Sequence, residues 1–212
     1  MDFRTLIKDY AEAPIPRHLI LELLDDYQRP NDKISELIKN NDLISIRRGL
    51  YIPGPKMDLP GPEPFLIANH LRGPSYVSLE SALSYWNLIP ERVFEISSVT
   101  IKTSRRYKTS VGRFSYNQVK TPYYAVGIKK IDISQKQTIL IASPEKALFD
   151  KIVLTPNIIL RSIKQTKELL LEDLRMDYEM LTKLNIRYMN TWIKYAPKRR
   201  SLEMLTKTLE EL

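Results

Sequence analysis

Four ionisable side chains come nearest to a catalytic cluster in this sequence: Glu80, Glu145, Lys146 and Asp150. Carboxylates together with a lysine could hold Mg²⁺ in a metal-dependent nuclease. Because successive residues of a helix are rotated by about 100°, Glu145 and Asp150 would project about 140° apart on a helix beginning at Ser143. Glu145 also suits a helix N-terminus. We therefore favour structural roles, with a nuclease as the weaker alternative.

The composition removes most other enzyme classes. The 212 residues contain no cysteine and only two histidines, His18 and His70. Disulfides, thiolate metal sites, cysteine nucleophiles and histidine-rich metal centres are therefore excluded. The sequence also lacks a phosphate-binding glycine loop and a serine elbow. We predict a protein that is not an enzyme and that needs no metal or other cofactor.

Residues 29–54 favour DNA recognition instead. A short helix is predicted with Asn31 or Asp32 as its N-cap, and the polar run at 40–42 ends it. Strands are predicted at 43–46 and 50–52, joined by a basic turn. A helix narrow enough for the major groove, followed by a tight basic hairpin, is typical of a winged helix-turn-helix.

The candidate DNA contacts follow from this reading. The groove-facing residues would be Asn31, Lys33, Ser35 and Lys39. The phosphate contacts would be Arg29, Arg47 and Arg48.

The rest of the first 53 residues supplies the other helices of the motif. Apolar spacing predicts helices over 3–10 and from Pro16 to about Tyr27. Five of the twelve residues at 53–64 are proline, which predicts a semi-rigid, extended linker at 54–64. We therefore predict a winged-helix domain over 1–53 and a second domain over 65–212.

The second domain is predicted to be α+β, with a small, mainly antiparallel sheet over about 94–142. Ser78 is predicted to cap a helix running to about 87, after a helix at 64–71. Strands are predicted at 96–103, 113–119, 123–128 and 138–142, with an antiparallel meander as the simplest pairing. Residues 105–108 (RRYK) are predicted to form a loop between strands. From 143 onward the chain is predicted to be helical.

The net charge of +8 is unevenly distributed along the chain. Residues 1–53 carry 8 Lys/Arg against 9 Asp/Glu, whereas residues 54–150 carry 13 against 8 and residues 151–212 carry 12 against 8. Phosphate contacts from the C-terminal region would therefore supply much of the non-specific affinity for DNA. The near-neutral N-terminal domain keeps open a second hypothesis, a protein-interaction module whose winged helix does not bind DNA.

The sequence carries no signal for a membrane. No apolar run reaches the 18 residues that a transmembrane helix needs, and the N-terminus does not resemble a signal peptide. We therefore expect a soluble, cytoplasmic protein with no membrane partner.

Five sequence blocks in order resemble one protein family. They are RRGLY at 47–51, PSYVSLESAL at 74–83, LIPE at 88–91, GRFSY at 112–116 and IASPEKALFD at 141–150. Together they look like the AbiEi family, the antitoxins and transcriptional autoregulators of abortive-infection (type IV) toxin–antitoxin systems. The resemblance covers about residues 20–153.

The resemblance implies a function for each domain. The N-terminal winged helix would bind inverted repeats in the promoter of its own operon. The C-terminal domain would oppose a nucleotidyltransferase-like toxin, directly or functionally, without being an enzyme. The polar positions that carry the family pattern in this domain are Ser78, Glu80, Arg113, Glu145, Lys146 and Asp150.

Overall fold

The computed structural model describes residues 3–91 and 93–212; Met1, Asp2 and Arg92 lie outside this description. The described chain is a mixed α+β structure with two sheets, one of three strands and one of six. No helix among the described residues is both long and apolar enough to cross a membrane.

The N-terminal part alternates short helices with three short strands. Its helices are α1 (Phe3–Ile7), α2 (Arg17–Glu22) and α3 (Pro30–Lys39). Its strands are β1 (Ile15–Pro16), β2 (Leu43–Arg47) and β3 (Leu50–Pro53), in the order β1-β3-β2 and antiparallel throughout. The two strands predicted from the sequence are therefore present.

Three helix boundaries in this part differ from the prediction, and proline explains the first of them. Helix α3 begins at Pro30 with Arg29 as N-cap, rather than after Asn31 or Asp32. Proline suits this first helical position because its missing N–H would have no partner there. Pro16 lies in β1 rather than in the first turn of α2, and α2 ends at Glu22, short of the predicted Tyr27.

The six-stranded sheet has the order β6-β7-β5-β4-β9-β8. Its strands are β4 (Ser75–Val77), β5 (Glu95–Thr100), β6 (Arg105–Thr109), β7 (Gly112–Gln118), β8 (Ile128–Asp132) and β9 (Thr138–Ala142). The pairs β4–β9 and β5–β7 are parallel, and the other three are antiparallel. The predicted meander is therefore wrong, because distant strands cross over to pair side by side.

Two segments of this sheet were assigned incorrectly from the sequence. The segment 105–108, predicted as a loop, belongs to the edge strand β6 (Arg105–Thr109). An edge strand that faces solvent needs few apolar residues, so the basic run lacks the usual alternation. Conversely, Tyr123–Ala125 is a 3₁₀ turn, and the strand in this region begins only at Ile128.

Helices cover the sheet and form the C-terminal region. Helices α4 (Pro64–Leu71) and α5 (Leu79–Tyr85) precede the long strands, and α6 (Pro144–Leu154) follows them. The remaining helices are α7 (Ile163–Glu168), α8 (Tyr178–Thr182), α9 (Ile186–Trp192) and α10 (Arg199–Glu210), with a π-helical segment at Leu169–Asp173. The predicted helix at 64–71 and the helical region after 143 are both present.

The described residues bury two hydrophobic clusters. The smaller one lies within the N-terminal part and includes Phe3, Ile20 and Leu37. The larger one fills the space between the six-stranded sheet and its helices, and it also takes in Ile46 and Leu50 from the β2–β3 hairpin. The hairpin therefore contributes side chains to both clusters, which ties the N-terminal part to the rest of the chain.

Candidate functional site

The first candidate surface is the solvent-exposed side of α3. Ile34 and Leu37 are buried in the N-terminal cluster, so the opposite side of the helix faces outward. Asn31, Ser35 and Lys39 are exposed there. Because they are four residues apart, they follow one another along a single stripe. This stripe contains three of the four residues predicted to face a DNA groove.

The turn of the hairpin lies beside this stripe. Arg47 and Arg48 are both exposed, and Gly49 adopts a φ of 79°, which glycine tolerates and most other residues do not. The backbone N–H of Arg17 donates a hydrogen bond to the carbonyl oxygen of Gly49 at 3.0 Å. The guanidinium of Arg17 donates to the Oδ1 atom of Asn31. Arg17 therefore connects the basic turn with the start of α3.

Sequence reasoning missed Arg17 because no spacing links it to the hairpin. Its place is fixed by the pairing of β1 with β3, which brings Pro16 opposite Leu50. Arg17 itself is exposed and adds a further positive charge to the surface.

Two of the predicted DNA contacts are engaged in ion pairs on α3. The ammonium of Lys33 lies 2.9 Å from Glu36, and this hydrogen bond raises the pKa of Lys33. The guanidinium of Arg29 lies 3.9 Å from Asp32. The charges of Lys33 and Arg29 are therefore partly compensated by neighbouring carboxylates, unlike those of the hairpin turn.

The second candidate site is a polar network buried within the larger part of the structure. Lys146 and Asp150 lie one helical turn apart on α6, both with fully buried side chains, and their Nζ and Oδ1 atoms are 2.6 Å apart. The hydroxyl of Tyr123 also donates to Oδ1, at 2.8 Å. The hydroxyls of Tyr76 and Ser78 donate to Oδ2, at 3.0 and 2.8 Å. The Asp150 carboxylate thus accepts four hydrogen bonds.

The aromatic rings complete the environment of the ammonium group. The Nζ atom of Lys146 lies 3.3 Å from the ring centroid of Tyr123 and 5.5 Å from that of Tyr76. Burial lowers the pKa of Lys146, whereas burial and the nearby Asp150 charge raise the pKa of both tyrosines well above their usual value. Both hydroxyls therefore stay protonated and able to donate to the carboxylate.

The structure brings together only three of the six predicted motif residues: Ser78, Lys146 and Asp150. Ser78 occupies the predicted N-cap position of α5, but its hydroxyl makes no cap hydrogen bond, since it donates to Asp150 instead. Tyr76 and Tyr123 were missed. Tyr76 lies on β4, two residues before Ser78, and this alternation is a local signal that could have pointed to it. No local spacing would have indicated Tyr123.

The other three motif residues have separate surroundings. Glu80 forms an ion pair with Lys151. Glu145 accepts hydrogen bonds from the Ser143 hydroxyl and the Asn185 N–H, at 2.7 and 3.2 Å, in the first turn of α6. Arg113 is exposed on β7. The carboxylates considered for a nuclease therefore each have their own partners.

A metal site of the kind expected in a nuclease is not assembled in the described part of the chain. No group of three or more histidine or carboxylate side chains converges there in a way that suits a metal ion. The Asp150 carboxylate is surrounded by donors, including an ammonium group, and this environment replaces a cation rather than attracting one.

Comparisons with known proteins assign this chain to no family and show a likeness in fold to a solved structure. No protein-family model matches the sequence. No curated protein matches it either. Among solved structures, the chain is similar to the RV2827C protein from Mycobacterium tuberculosis, with a TM-score of 0.64 and 12% sequence identity. The match covers 97% of this chain and 76% of the other, so the likeness in fold extends over nearly all of this chain.

Proposed function

We propose that this protein is a DNA-binding antitoxin of the AbiEi type, which represses its own toxin–antitoxin operon and counteracts a nucleotidyltransferase-like toxin. Its N-terminal part would be a winged helix-turn-helix that binds inverted repeats in the promoter. The second part would carry the antitoxin function without catalysis. The site of action would be the cytoplasm.

The observation that carries this proposal is the exposed stripe of α3 lying beside the basic turn between β2 and β3. The stripe of Asn31, Ser35 and Lys39 offers amide, hydroxyl and ammonium groups, which read base edges in a major groove. Arg17, bonded to Asn31, and Arg48 of the hairpin turn add exposed positive charges. The order of three helices and a hairpin, closed by a three-stranded sheet, also agrees with a winged helix.

The ion pairs of Arg29 and Lys33 make their contacts with DNA less favourable than those of the hairpin turn. Arg47 and Arg48 are exposed and would contact phosphates without first breaking a compensating ion pair. Arg29 and Lys33 would have to exchange Asp32 and Glu36 for DNA, and that exchange offsets part of the gain. We therefore assign the largest backbone contribution to the hairpin turn.

In the second part, the Lys146–Asp150 network would support the antitoxin function rather than perform chemistry. Its side chains join α6 to strand β4 and to the turn at Tyr123–Ala125. A network buried this deeply fixes how the helix lies on the sheet and thereby the surface around it. Whether that surface contacts the toxin is decided by co-purification.

The DNA-binding half is tested by a gel-shift titration with a promoter probe spanning several helical turns, against a scrambled probe, at two salt concentrations. The Arg47→Ala/Arg48→Ala variant should lose on the order of 1–3 kcal/mol of binding free energy per contact and should show a weaker salt dependence. The matched control is Arg161→Ala/Lys164→Ala, which removes two exposed charges from the C-terminal region. Unchanged binding by the hairpin variant at every salt concentration would exclude the wing assignment.

The antitoxin half needs a separate assay. Co-expression with the toxin from the neighbouring gene should restore growth, and a chain carrying Arg47→Ala/Arg48→Ala should still do so. Failure of the intact chain to restore growth would exclude this half and leave the repressor half standing.

A second function is favoured by one observation, the near-neutral charge of the N-terminal part. Residues 1–53 carry 8 Lys/Arg against 9 Asp/Glu, and two of the basic residues are paired on α3. A protein-interaction module would have this charge. It would be selected by equal, weak binding to promoter and scrambled probes together with stable co-purification of the toxin.

A further inference from the structure

One continuous stretch of the sequence, from within β5 to within β8, contains no acidic residue. Residues 96–131 contain eight Lys/Arg and no Asp/Glu. Four of the basic residues lie on the hairpin of β6 and β7, which we call the basic edge, and all four are exposed: Arg105, Arg106, Lys108 and Arg113.

The basic edge brings like charges together, with Glu95 of β5, opposite Arg113, as the carboxylate beside them. Lys108 lies directly opposite Arg113 in the register of β6 and β7. Like charges at directly opposed positions of an antiparallel pair repel each other. The guanidinium of Arg106 lies 3.9 Å from the carboxylate of Glu95, and 84% of the Arg106 side chain is exposed. An anion held along this edge would relieve the repulsion.

The basic edge is also connected to the hairpin proposed as the wing. Ile46 and Leu50 of that hairpin pack in the same cluster as Phe114 and Tyr116 of β7. The charge of Arg47 is close enough to Tyr116 to oppose the effect of burial on the pKa of that phenol. The basic turn therefore lies near β7, on the face of the sheet that Tyr116 shares with Arg105, whereas Arg106, Lys108 and Arg113 project from the other face along the same exposed edge.

The edge strand is held in place by contacts of Tyr107 and of the preceding residue Thr103 rather than by its basic side chains. The guanidinium of Arg72, at the end of α4, donates hydrogen bonds to the Tyr107 hydroxyl at 3.3 Å and to the Thr103 carbonyl oxygen at 2.7 Å. Tyr107 packs edge-on against Tyr116, with ring centroids 5.8 Å apart. The strand is thus anchored from the inner side, while Arg106 and Lys108 alternate outward.

We infer that the basic edge is a second phosphate-binding surface, which contacts the backbone of the same DNA duplex beyond the segment read by α3. This inference rests on the proposed function, and it explains why the positive charge of the chain lies outside the N-terminal part. Backbone contacts of this kind add affinity without sequence preference.

A simpler role for charged residues on an edge strand is protection against pairing with another chain. Protection requires only a few charges and does not require the absence of acidic residues over 36 positions. It also predicts a different result on substitution, namely aggregation of the protein with unchanged DNA affinity per folded molecule.

The test is the salt dependence of DNA binding by the full chain, measured by fluorescence anisotropy between 50 and 200 mM salt. The variant Arg105→Gln/Arg106→Gln/Lys108→Gln should bind promoter and scrambled duplexes less tightly by the same factor. Each lost phosphate contact reduces the slope of log K against log salt by about 0.9, so two or three contacts change the affinity ratio between these salts by about 10- to 40-fold.

The matched control is Arg161→Gln/Lys164→Gln/Arg187→Gln, which removes the same charge from exposed positions of the C-terminal region. It should keep the slope of the unmodified chain, because the inference assigns the phosphate contacts expected from the second part of the chain to the basic edge and not to the C-terminal helices. Equal losses in the two triple variants would overturn the inference, because generic charge would explain both. A triple edge variant that keeps the full slope would overturn it too, and loss of toxin rescue by that variant would identify the edge as a protein-binding surface.

Probe length separates this inference from the proposed function. On a duplex of about one helical turn, too short to reach beyond the segment under α3, the edge variant should match the unmodified chain. If the unmodified chain fails to distinguish promoter from scrambled DNA at any length, the proposed function fails. If it distinguishes them and the edge variant is unaffected on a duplex of about four turns, only the second surface is refuted.

Discussion

Removing the charge of Asp150 should destabilise the protein far more than its small chemical change suggests. The variant Asp150→Asn keeps the size of the side chain but leaves the Lys146 ammonium without a counter-charge at a fully buried position. Removal of one partner of a buried ion pair costs about 3–5 kcal/mol. For a chain of this size, that loss corresponds to a decrease of about 6–20 °C in Tm.

The loss of stability in Asp150→Asn has an upper limit, because the Lys146 amine can become neutral. Burial already lowers the pKa of Lys146, and without Asp150 the amine can release its proton rather than stay charged. The asparagine amide keeps one acceptor oxygen, so one or two of the hydroxyls of Tyr76, Ser78 and Tyr123 lose their acceptor, at about 1–3 kcal/mol for each one left unsatisfied. The predicted total is therefore of the same order as that given for a broken pair.

The assay is urea unfolding followed by tryptophan fluorescence, because Trp192 is buried and its ring centroid lies 6.2 Å from that of Phe149, next to Asp150 on α6. The matched control is Glu80→Gln, which removes a carboxylate from a partly exposed pair with Lys151 and should cost at most about 1 kcal/mol.

A double-mutant cycle decides whether the reasoning is right. The variant Lys146→Met/Asp150→Leu removes both charges, so it should lose less stability than the two single substitutions, Lys146→Met and Asp150→Leu, added together, with a coupling of about 2–3 kcal/mol. A cost below about 1 kcal/mol for Asp150→Asn, or strict additivity in the cycle, would refute a tightly coupled buried pair.

Two further predictions concern the same part of the molecule. The raised pKa values of Tyr76 and Tyr123 stabilise the folded state below about pH 10, and this stabilisation is lost as the pH rises further and unfolded tyrosine ionises. In urea unfolding between pH 8 and 11, the free energy of unfolding of Tyr76→Phe/Tyr123→Phe should therefore fall less with pH than that of the unmodified chain. An identical fall in the two proteins would contradict the prediction. Gly127→Ala should destabilise by at least about 1–3 kcal/mol, because φ is 68° and the new methyl group would lie 2.7 Å from the Cβ atom of Lys146. Gly61→Ala, with nothing within 4 Å, serves as its control in thermal unfolding and should change stability by less than about 0.5 kcal/mol.

Features that depend on neighbouring residues were predictable from the sequence. Proline at position 64 and the Ser143-Pro144-Glu145 sequence mark the starts of α4 and α6, and the structure has both helices, with the Ser143 hydroxyl accepting from the Lys146 N–H at 3.2 Å. The hairpin of β2 and β3 was predicted for the same reason, since its turn and its two strands are adjacent in the chain. The composition also excluded cysteine chemistry outright.

Features that depend on distant residues were decided by the tertiary structure. Asp150 is 74 residues from Tyr76, 72 from Ser78 and 27 from Tyr123, so no local spacing relates them. The strand β6 belongs to the sheet because β7 pairs with it, although its own sequence has the polar character of a loop. Arg17 reaches Asn31 only because β1 adds to the edge of the hairpin.

The difference between the features that were predictable from the sequence and those that were not has a single physical cause. Caps, prolines and apolar periodicity act within one or two turns of the chain, so their free energies are fixed by sequence neighbours. Strand order and burial of a charged pair depend on which remote segments pack together, and the cost of burying Lys146 is offset only once β4, the adjoining Ser78 and the turn at Tyr123–Ala125 are in place. The sequence alone therefore determined the β2–β3 hairpin, the starts of α4 and α6 and the distribution of charge, and only packing determined the sheet order, the edge strand β6 and the buried network.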